Sequence, residues 1–174
     1  MAHHLPQDTR RRSDTVTSAP EGTTVFRIAA PLMIAAAALG GCTEQKQLRV
    51  SDAWVRLAAV EGRPASGYFT IHGGPEDATL ISVSADAAAR TELHESRMAH
   101  GGHGMTMDSM ARVPIPALQE VHFAPAGKHA MLFRLNPAVK PGGTMTFTFT
   151  FADATRIQQT ARIIAAGDPA PATR

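Results

Sequence analysis

The segment Thr144-Met145-Thr146-Phe147-Thr148-Phe149-Thr150-Phe151 alternates polar and large apolar residues without a break. Successive side chains of a β-strand point to opposite faces, so this period of two demands a strand with one buried face and one wetter face. A helix would scatter the same phenylalanines around its circumference and bury none of them as a set. Weaker runs of this kind predict further strands at Leu48–Arg56, Gly67–His72, Thr79–Val83, Thr91–His94, Glu120–Phe123, His129–Leu135 and Ile157–Ile164. Turn chemistry separates them at Gly73-Gly74-Pro75, Pro125-Ala126-Gly127 and Pro141-Gly142-Gly143. Only Ala85–Arg90 reads as helical, for a single turn. Short, regularly spaced strands with no long helix predict an all-β chain folded as an antiparallel β-sandwich.

The strand pattern occupies residues 48–165, a normal length for one domain, and 44% of the chain is hydrophobic, enough for a packed core. Residues 1–41 read differently. A polar stretch rich in Arg, Ser, Thr and Pro gives way to an apolar run, Ile28 to Leu39, that is too short to span a bilayer. The run ends in Leu39-Gly40-Gly41-Cys42, which resembles the bacterial lipobox, in which the Cys is lipidated and becomes the mature N-terminus. Residues 1–41 are therefore expected to be a leader and lipoprotein signal peptide, 42–47 a tether and 166–174 a disordered tail. Dual acylation at Cys42 would hold the domain on the periplasmic side of a bacterial membrane. The net charge is only +2, with Arg10, Arg11 and Arg12 in the leader. No basic and aromatic stretch suits nucleic acid, so that class of partner is set aside.

Cys42 is the single cysteine. A domain without a thiol cannot build a disulfide, a thiolate zinc site or a blue-copper centre. Any soft metal site must use methionine and histidine. Those residues are concentrated: His94, His100 and His103 with Met98, Met105, Met107 and Met110 fall in one short window of a chain that has eight of each type. Glycines and small polar residues surround them, which is loop composition with no apolar face for methionine to pack against. Exposed methionine is open to oxidation and has little structural use. Thioethers suit zinc, calcium and magnesium poorly, whereas a Met-plus-His set selects Cu(I). A second element, His129-Ala130-Met131, places two donors on one face of a predicted strand.

At this point the chain resembles the periplasmic PCuAC-type copper chaperones, over roughly Val50 to Ile164. The likeness rests on Asp52-Ala53-Trp54-Val55-Arg56, Ser66-Gly67-Tyr68-Phe69, Glu92-Leu93-His94-Glu95, Ile115-Pro116-Ala117 and Pro125-Ala126-Gly127-Lys128-His129-Ala130-Met131-Leu132. That family's metal motif is a His, ten residues, a Met, twenty-one residues, then His-x-Met. The resemblance implies a cupredoxin-like fold and the ligand set His94, Met107, His129 and Met131. Met107 matches the second gap, while Met105 matches the first. A loop insertion should fall among the glycines, which favours Met107. Met98, His100, His103, Met105 and Met110 are left as an auxiliary set that takes up a second copper, as Cu(II), or passes copper inward. By the same resemblance the protein is not an enzyme but delivers Cu(I) to a copper-accepting protein, such as cytochrome oxidase subunit II with its Cu(A) centre, or to another copper chaperone. The competing reading is a periplasmic copper storage or resistance protein without a specific acceptor.

The remaining singletons have plainer expectations. His72 is read as a surface residue at a strand end, His122 as solvent-facing and Trp54 as a core anchor. Either Glu92 or Glu95 could orient the His94 imidazole.

Overall fold

The computed structural model describes residues 46–98 and 104–172. Among them run ten strands and no helix: β1 (Arg49–Arg56), β2 (Ala65–His72), β3 (Ala78–Ala85), β4 (Ala88–Met98), β5 (Met105–Ser109), β6 (Val113–Ile115), β7 (Glu120–Phe123), β8 (Lys128–Leu135), β9 (Thr144–Phe151) and β10 (Arg156–Ile164). Hydrogen bonding orders them β5-β4-β8-β2-β1-β10-β9-β3-β6, with β7 paired to β2 beside β8. The all-β expectation holds, but the sheet is mixed. β1 and β10 run parallel, with Trp54 opposite Arg162 and Arg56 opposite Ile164. Side-chain alternation reveals which face is buried but carries no information on strand direction, so a purely antiparallel reading could not detect this pair.

The sheet folds over on itself. Phe69 on β2 lies 4.7 Å from Phe149 and 6.0 Å from Phe147, ring centre to ring centre, although two strands separate β2 from β9 along the hydrogen-bonded path. Met145, Phe147, Phe149 and Phe151 are all buried, as the alternation demands, and meet Val55, Ile71, Leu93 and Leu132 from the facing strands. Gly67 makes this approach possible. A Cβ there would sit 2.7 Å from Phe147 Cζ and 3.1 Å from Leu132 Cδ1.

Three local expectations are corrected. Ala85–Arg90 is no helical turn: Asp86 and Ala87 form a tight connection and β4 begins at Ala88. Asp86 donates its N–H to the Thr146 carbonyl and accepts the Thr146 N–H on Oδ1, while Ala88 pairs with Leu135. These tertiary bonds override the helix preference of the alanines. The Met-bearing window is not a loop throughout, because β4 runs on to Met98 and β5 returns antiparallel to it. Asp168, placed by sequence in the tail, is tied to the domain: its carbonyl accepts from Arg56 Nη2 and its Oδ2 accepts the Ala165 N–H. The leader, Cys42, His100 and His103 lie outside the described residues. Among the described residues no helix is long and apolar enough to cross a membrane.

Candidate metal centre

Register decides which side chains share a face. In the β4–β8 ladder His94 lies directly opposite His129, and Glu92 opposite Met131. In the β4–β5 ladder Ser109 faces His94, Met107 faces Ser96, and Met105 faces Met98. Opposed residues point to the same side, and so do residues two apart. His94, Met107, His129 and Met131 therefore project from one face, with Met98 and Met105 further along it. The intervening residues Leu93, Ala130 and Leu132 point the other way, into the core. The expected four residues are thus brought onto one surface of three adjacent strands. The two histidines form its centre, with Met131 one step to one side and Met107 one step to the other.

The imidazoles are fixed by their partners. The ring centres of His94 and His129 are 6.0 Å apart with planes inclined by only 25°. His129 is buried, at 6% exposure. Its Nδ1 sits 3.0 Å from the Gly127 carbonyl oxygen. A carbonyl can only accept, so Nδ1 carries the proton and Nε2 keeps its lone pair. The turn that presents Gly127 begins with a hydrogen bond from the Gly127 N–H to Ala124 O, and Ala126 adopts φ 65° within it. The same Gly127 carbonyl accepts the Ser96 N–H, which ties the turn to β4. His94 presents the mirror case. Its Nε2 lies 3.1 Å from Glu92 Oε2, and a carboxylate also only accepts, so Nε2 carries a proton and in the neutral ring the lone pair falls to Nδ1. That Nδ1 is buried and has no hydrogen-bond partner. A buried acceptor left without a donor is costly unless something else fills the role.

A metal ion is such a group. An imidazole nitrogen lies ~2 Å from a bound transition metal, which places each ring centre about 3 Å from the ion. Two rings sharing one ion then stand at most about 6 Å apart, the separation seen here. Among the described residues no group of three or more His, Cys, Asp or Glu could hold a metal. Nitrogen and oxygen donors alone, among the described residues, do not complete a site on this face. Among the described residues, the methionine thioethers of this face are the donors that can finish it.

The neighbouring carboxylates divide cleanly. Glu92 orients His94 and also receives Arg90 Nη1 at 2.9 Å. Glu95 points to the opposite side, where it binds Lys128 Nζ at 2.8 Å and the Arg97 guanidinium. These hydrogen bonds, that of Lys128 first and that of Arg97 second, hold the Glu95 carboxyl below the usual range. Of the two candidates, the orienting acceptor is Glu92.

Several expectations at the periphery change. Met110, expected in the auxiliary set, is partly buried and packs against the core. Met98, Met105 and Met107 are exposed. Trp54 is buried, but outside the main core. A bulge between Ser51 and Trp54, with Asp52 at φ 52°, turns the indole onto the histidine-bearing face. There it lies 4.3 Å from the Tyr68 ring, which is 6.4 Å from the His129 ring, while Arg56 covers the indole at 5.1 Å. Tyr68 walls in the buried histidine, a role that the sequence did not suggest, although its place in β2 opposite β8 follows from the pairing of Ser66 with Met131. His72 is half-buried rather than superficial: its Nε2 meets Ser51 Oγ at 2.8 Å and its Nδ1 meets Glu120 Oε1 at 2.8 Å. His122 is exposed, as expected.

Fold and face together define a cupredoxin-like β-sandwich with imidazole and thioether donors gathered on one outer surface. The chain belongs to the LpqE-like family, whose model, described as "Putative lipoprotein LpqE-like", matches residues 48–163. A protein of Leifsonia xyli subsp. xyli named "Putative lipoprotein Lxx21020" is 31% identical over 106 residues, which cover 61% of this chain and 63% of that protein. Among solved structures, the copper-bound PCuAC domain from PmoF2 superposes with a TM-score of 0.56 at 18% identity, covering 69% of this chain and 94% of that domain. The Cu(I) form of DR1885 from Deinococcus radiodurans gives a TM-score of 0.57 at 22% identity, covering 74% of this chain and 85% of that one. The apo PCuAC domain from PmoF1 gives 0.54 at 24% identity, covering 70% of this chain and 97% of that domain. The resemblance to PCuAC-type domains drawn from sequence is borne out, and at these identities the superpositions establish the shared fold.

Proposed function

We propose that this protein is an extracytoplasmic carrier of Cu(I), held to a membrane by lipid at Cys42, that binds the ion through His94, His129, Met107 and Met131. The observation that carries this reading is the paired imidazoles. Each has its proton directed to a fixed acceptor and its lone pair free, and the flanking positions on the same face are methionines. The family match and the copper-bound relatives support it.

The chemistry suits cargo rather than a permanent cofactor. Neutral imidazoles and thioethers add no charge and favour the monovalent soft ion. An imidazole binds a metal through the lone pair of its neutral form, and on each ring the other nitrogen faces a fixed acceptor for its N–H. Between Met107 and Met105, register supports Met107, because it is one step from the histidine pair and Met105 is two. Release follows donor by donor. The exposed thioether of Met107 on edge strand β5 is displaced first by ligands of the acceptor, and the buried His129 on inner strand β8 last. The acceptor is a copper-accepting protein such as the Cu(A)-bearing subunit of cytochrome oxidase. The protein transfers the ion and performs no turnover chemistry.

The test is a Cu(I) titration of the full chain against a competing chelator, with X-ray absorption of the loaded protein. The expected result is one tightly held ion with mixed sulfur and nitrogen scattering, lost in His129→Ala and weakened in Met107→Leu. Tight binding unaffected by either change would overturn the site. Transfer to an apo Cu(A) domain then separates a carrier from a storage protein, which would retain its copper.

A further inference from the structure

The thioethers do not stop at Met107. Met98 and Met105 oppose each other in the β4–β5 ladder, one step beyond Met107 and on the same face. Steps on one face of a strand recur every two residues, ~7 Å apart, and opposed Cβ atoms are about 5 Å apart. The methionine side chain has three rotatable bonds, so the sulfurs of such a trio can converge on a common point.

Packing gives no reason for these residues. Met98, Met105 and Met107 are 70%, 55% and 53% exposed, whereas Met110, just beyond the end of β5, packs against the core. An apolar side chain left in water contributes no burial, and a thioether adds a liability to oxidation that leucine would avoid. The alternation of β5 is also informative. Its face toward the histidines carries Met105 and Met107, while the other carries Thr106 and Asp108. Soft donors occupy one side only.

We propose that Met98 and Met105, together with Met107, form an outer holding station for Cu(I), from which the ion passes to the His94–His129 pair. This rests on the copper reading above and extends it by giving the ion a path along the hairpin. Met107 is common to both stations. As the ion moves inward, the bonds from Met98 and Met105 sulfur break and bonds from His94 Nδ1 and His129 Nε2 form. Copper remains Cu(I), and each histidine enters as the neutral imidazole, keeping the proton on the nitrogen that faces Glu92 or Gly127. The same sequence in reverse presents the ion to an acceptor at the exposed end.

The experiment follows the methionine methyl and histidine ring resonances of the full chain during titration with Ag(I), a soft monovalent probe without redox chemistry. In the wild type, the His94, His129 and Met131 signals should move at the first equivalent and those of Met98 and Met105 beyond it. In His94→Ala/His129→Ala, Met98 and Met105 should respond from the first addition. Stopped-flow loading from a Cu(I)–chelator complex should be several-fold slower in Met98→Leu/Met105→Leu at unchanged equilibrium affinity. Methyls of Met98 and Met105 that stay fixed in the wild type at excess Ag(I), or unchanged loading kinetics in the double leucine variant, overturn the station. Shifts at Met98 and Met105 with none at His94, His129 or Met131 overturn the inner site instead, and with it the passage between the two. The wild-type titration decides the question even if a histidine variant fails to fold.

Discussion

Replacing Glu92 by alanine isolates the contribution of imidazole orientation to copper affinity. The Glu92 side chain is about a third exposed, at 36%, and lies on the face away from Leu93 and the core. Its removal should leave the fold intact. What it removes is the acceptor 3.1 Å from His94 Nε2, the group that assigns the proton to Nε2 and the lone pair to Nδ1. Without it the ring is free to rotate and to exchange tautomers, and binding must supply the ordering. Loss of such an outer partner typically weakens a metal site 10–100-fold, or ~1.4–2.7 kcal/mol. The structure argues for the lower end. Glu92 is partly solvated and shares its carboxylate with Arg90, which reduces its hold on the imidazole. The expected loss is about tenfold, ~1.4 kcal/mol.

The assay is competition for Cu(I) against a chelator of known affinity, read together with thermal unfolding of the apo protein. Glu92→Gln supplies the internal control. Its amide oxygen still accepts from Nε2–H, but without charge, and charge-assisted hydrogen bonds are about twice as strong as neutral ones. The order of affinity should be wild type, then Gln, then Ala. Arg90→Ala should bind at least as well as the wild type, since it releases Glu92 from competition. If Glu92→Ala binds Cu(I) as tightly as the wild type while His94→Ala does not, the Nδ1 assignment is wrong and His94 ligates through its other nitrogen.

Three further outcomes follow from particular contacts. Met107→Leu should weaken Cu(I) by at least about tenfold, since a direct donor outweighs an outer one, and Met105→Leu should not change equilibrium affinity; the reverse ranking in the same competition assay would hand the ligand role to Met105. Gly67→Ala forces a methyl against Phe147 and Leu132, two fully buried side chains, and overpacking of this kind costs ~1–3 kcal/mol; a urea midpoint equal to that of the wild type would show that the two sheets can part there. Asp153 accepts the Thr155 hydroxyl at 2.7 Å and the Thr155 N–H at 2.9 Å, and these bonds, the hydroxyl's first, hold its carboxyl below the usual range. A depressed folded pKa contributes stability that is complete above the unfolded value of ~4 and lost as pH falls through the folded one. Asp153→Asn should therefore flatten the fall of the urea midpoint in that acid window, and parallel curves would exclude the contribution.

How much of this could be read in advance depends on the kind of information that each element carries. β9 was fully legible, because four buried residues in strict alternation leave no other arrangement. β4 was legible only as far as His94. Beyond it, Glu95-Ser96-Arg97-Met98 has no apolar face, and its strand conformation comes from pairing with β5. β5 is exposed throughout and shows no burial pattern, and β6, with exposed Pro114 between buried Val113 and Ile115 at a sheet edge, is too short for its alternation to stand out. The parallel β1–β10 contact is invisible to any local signal. The proposed donors stand out in the sequence as a density of Met and His, and as His129-x-Met131. The choice between Glu92 and Glu95 became decidable once β4 was known to be one continuous strand, for parity from His94 places Glu92 beside it and Glu95 behind it.

Placement on a sheet, rather than in a loop, grades the donors by mobility. β8, which carries His129, lies between β4 and β2 with hydrogen-bonded neighbours on both sides, and Tyr68 walls the imidazole in. His94 is on the next strand outward, and Met107 on the edge strand, whose other side pairs with nothing among the described residues. Backbone freedom rises with distance from the centre of a sheet, because edge strands have half the ladder. A carrier needs this gradient. If all donors were equally rigid, release would require the domain to open; if all were equally loose, capture would have to order every one of them. In the proposed site, with His129 and Met131 on an inner strand and Met107 at the rim, an acceptor can displace the outer donors in turn while the core, on the opposite face, remains packed. Copper loading should accordingly slow amide exchange most at Met105–Ser109 and least along Lys128–Leu135. Uniform protection of all three strands would mean that the ion closes the whole sheet, and that the donors do not leave in order.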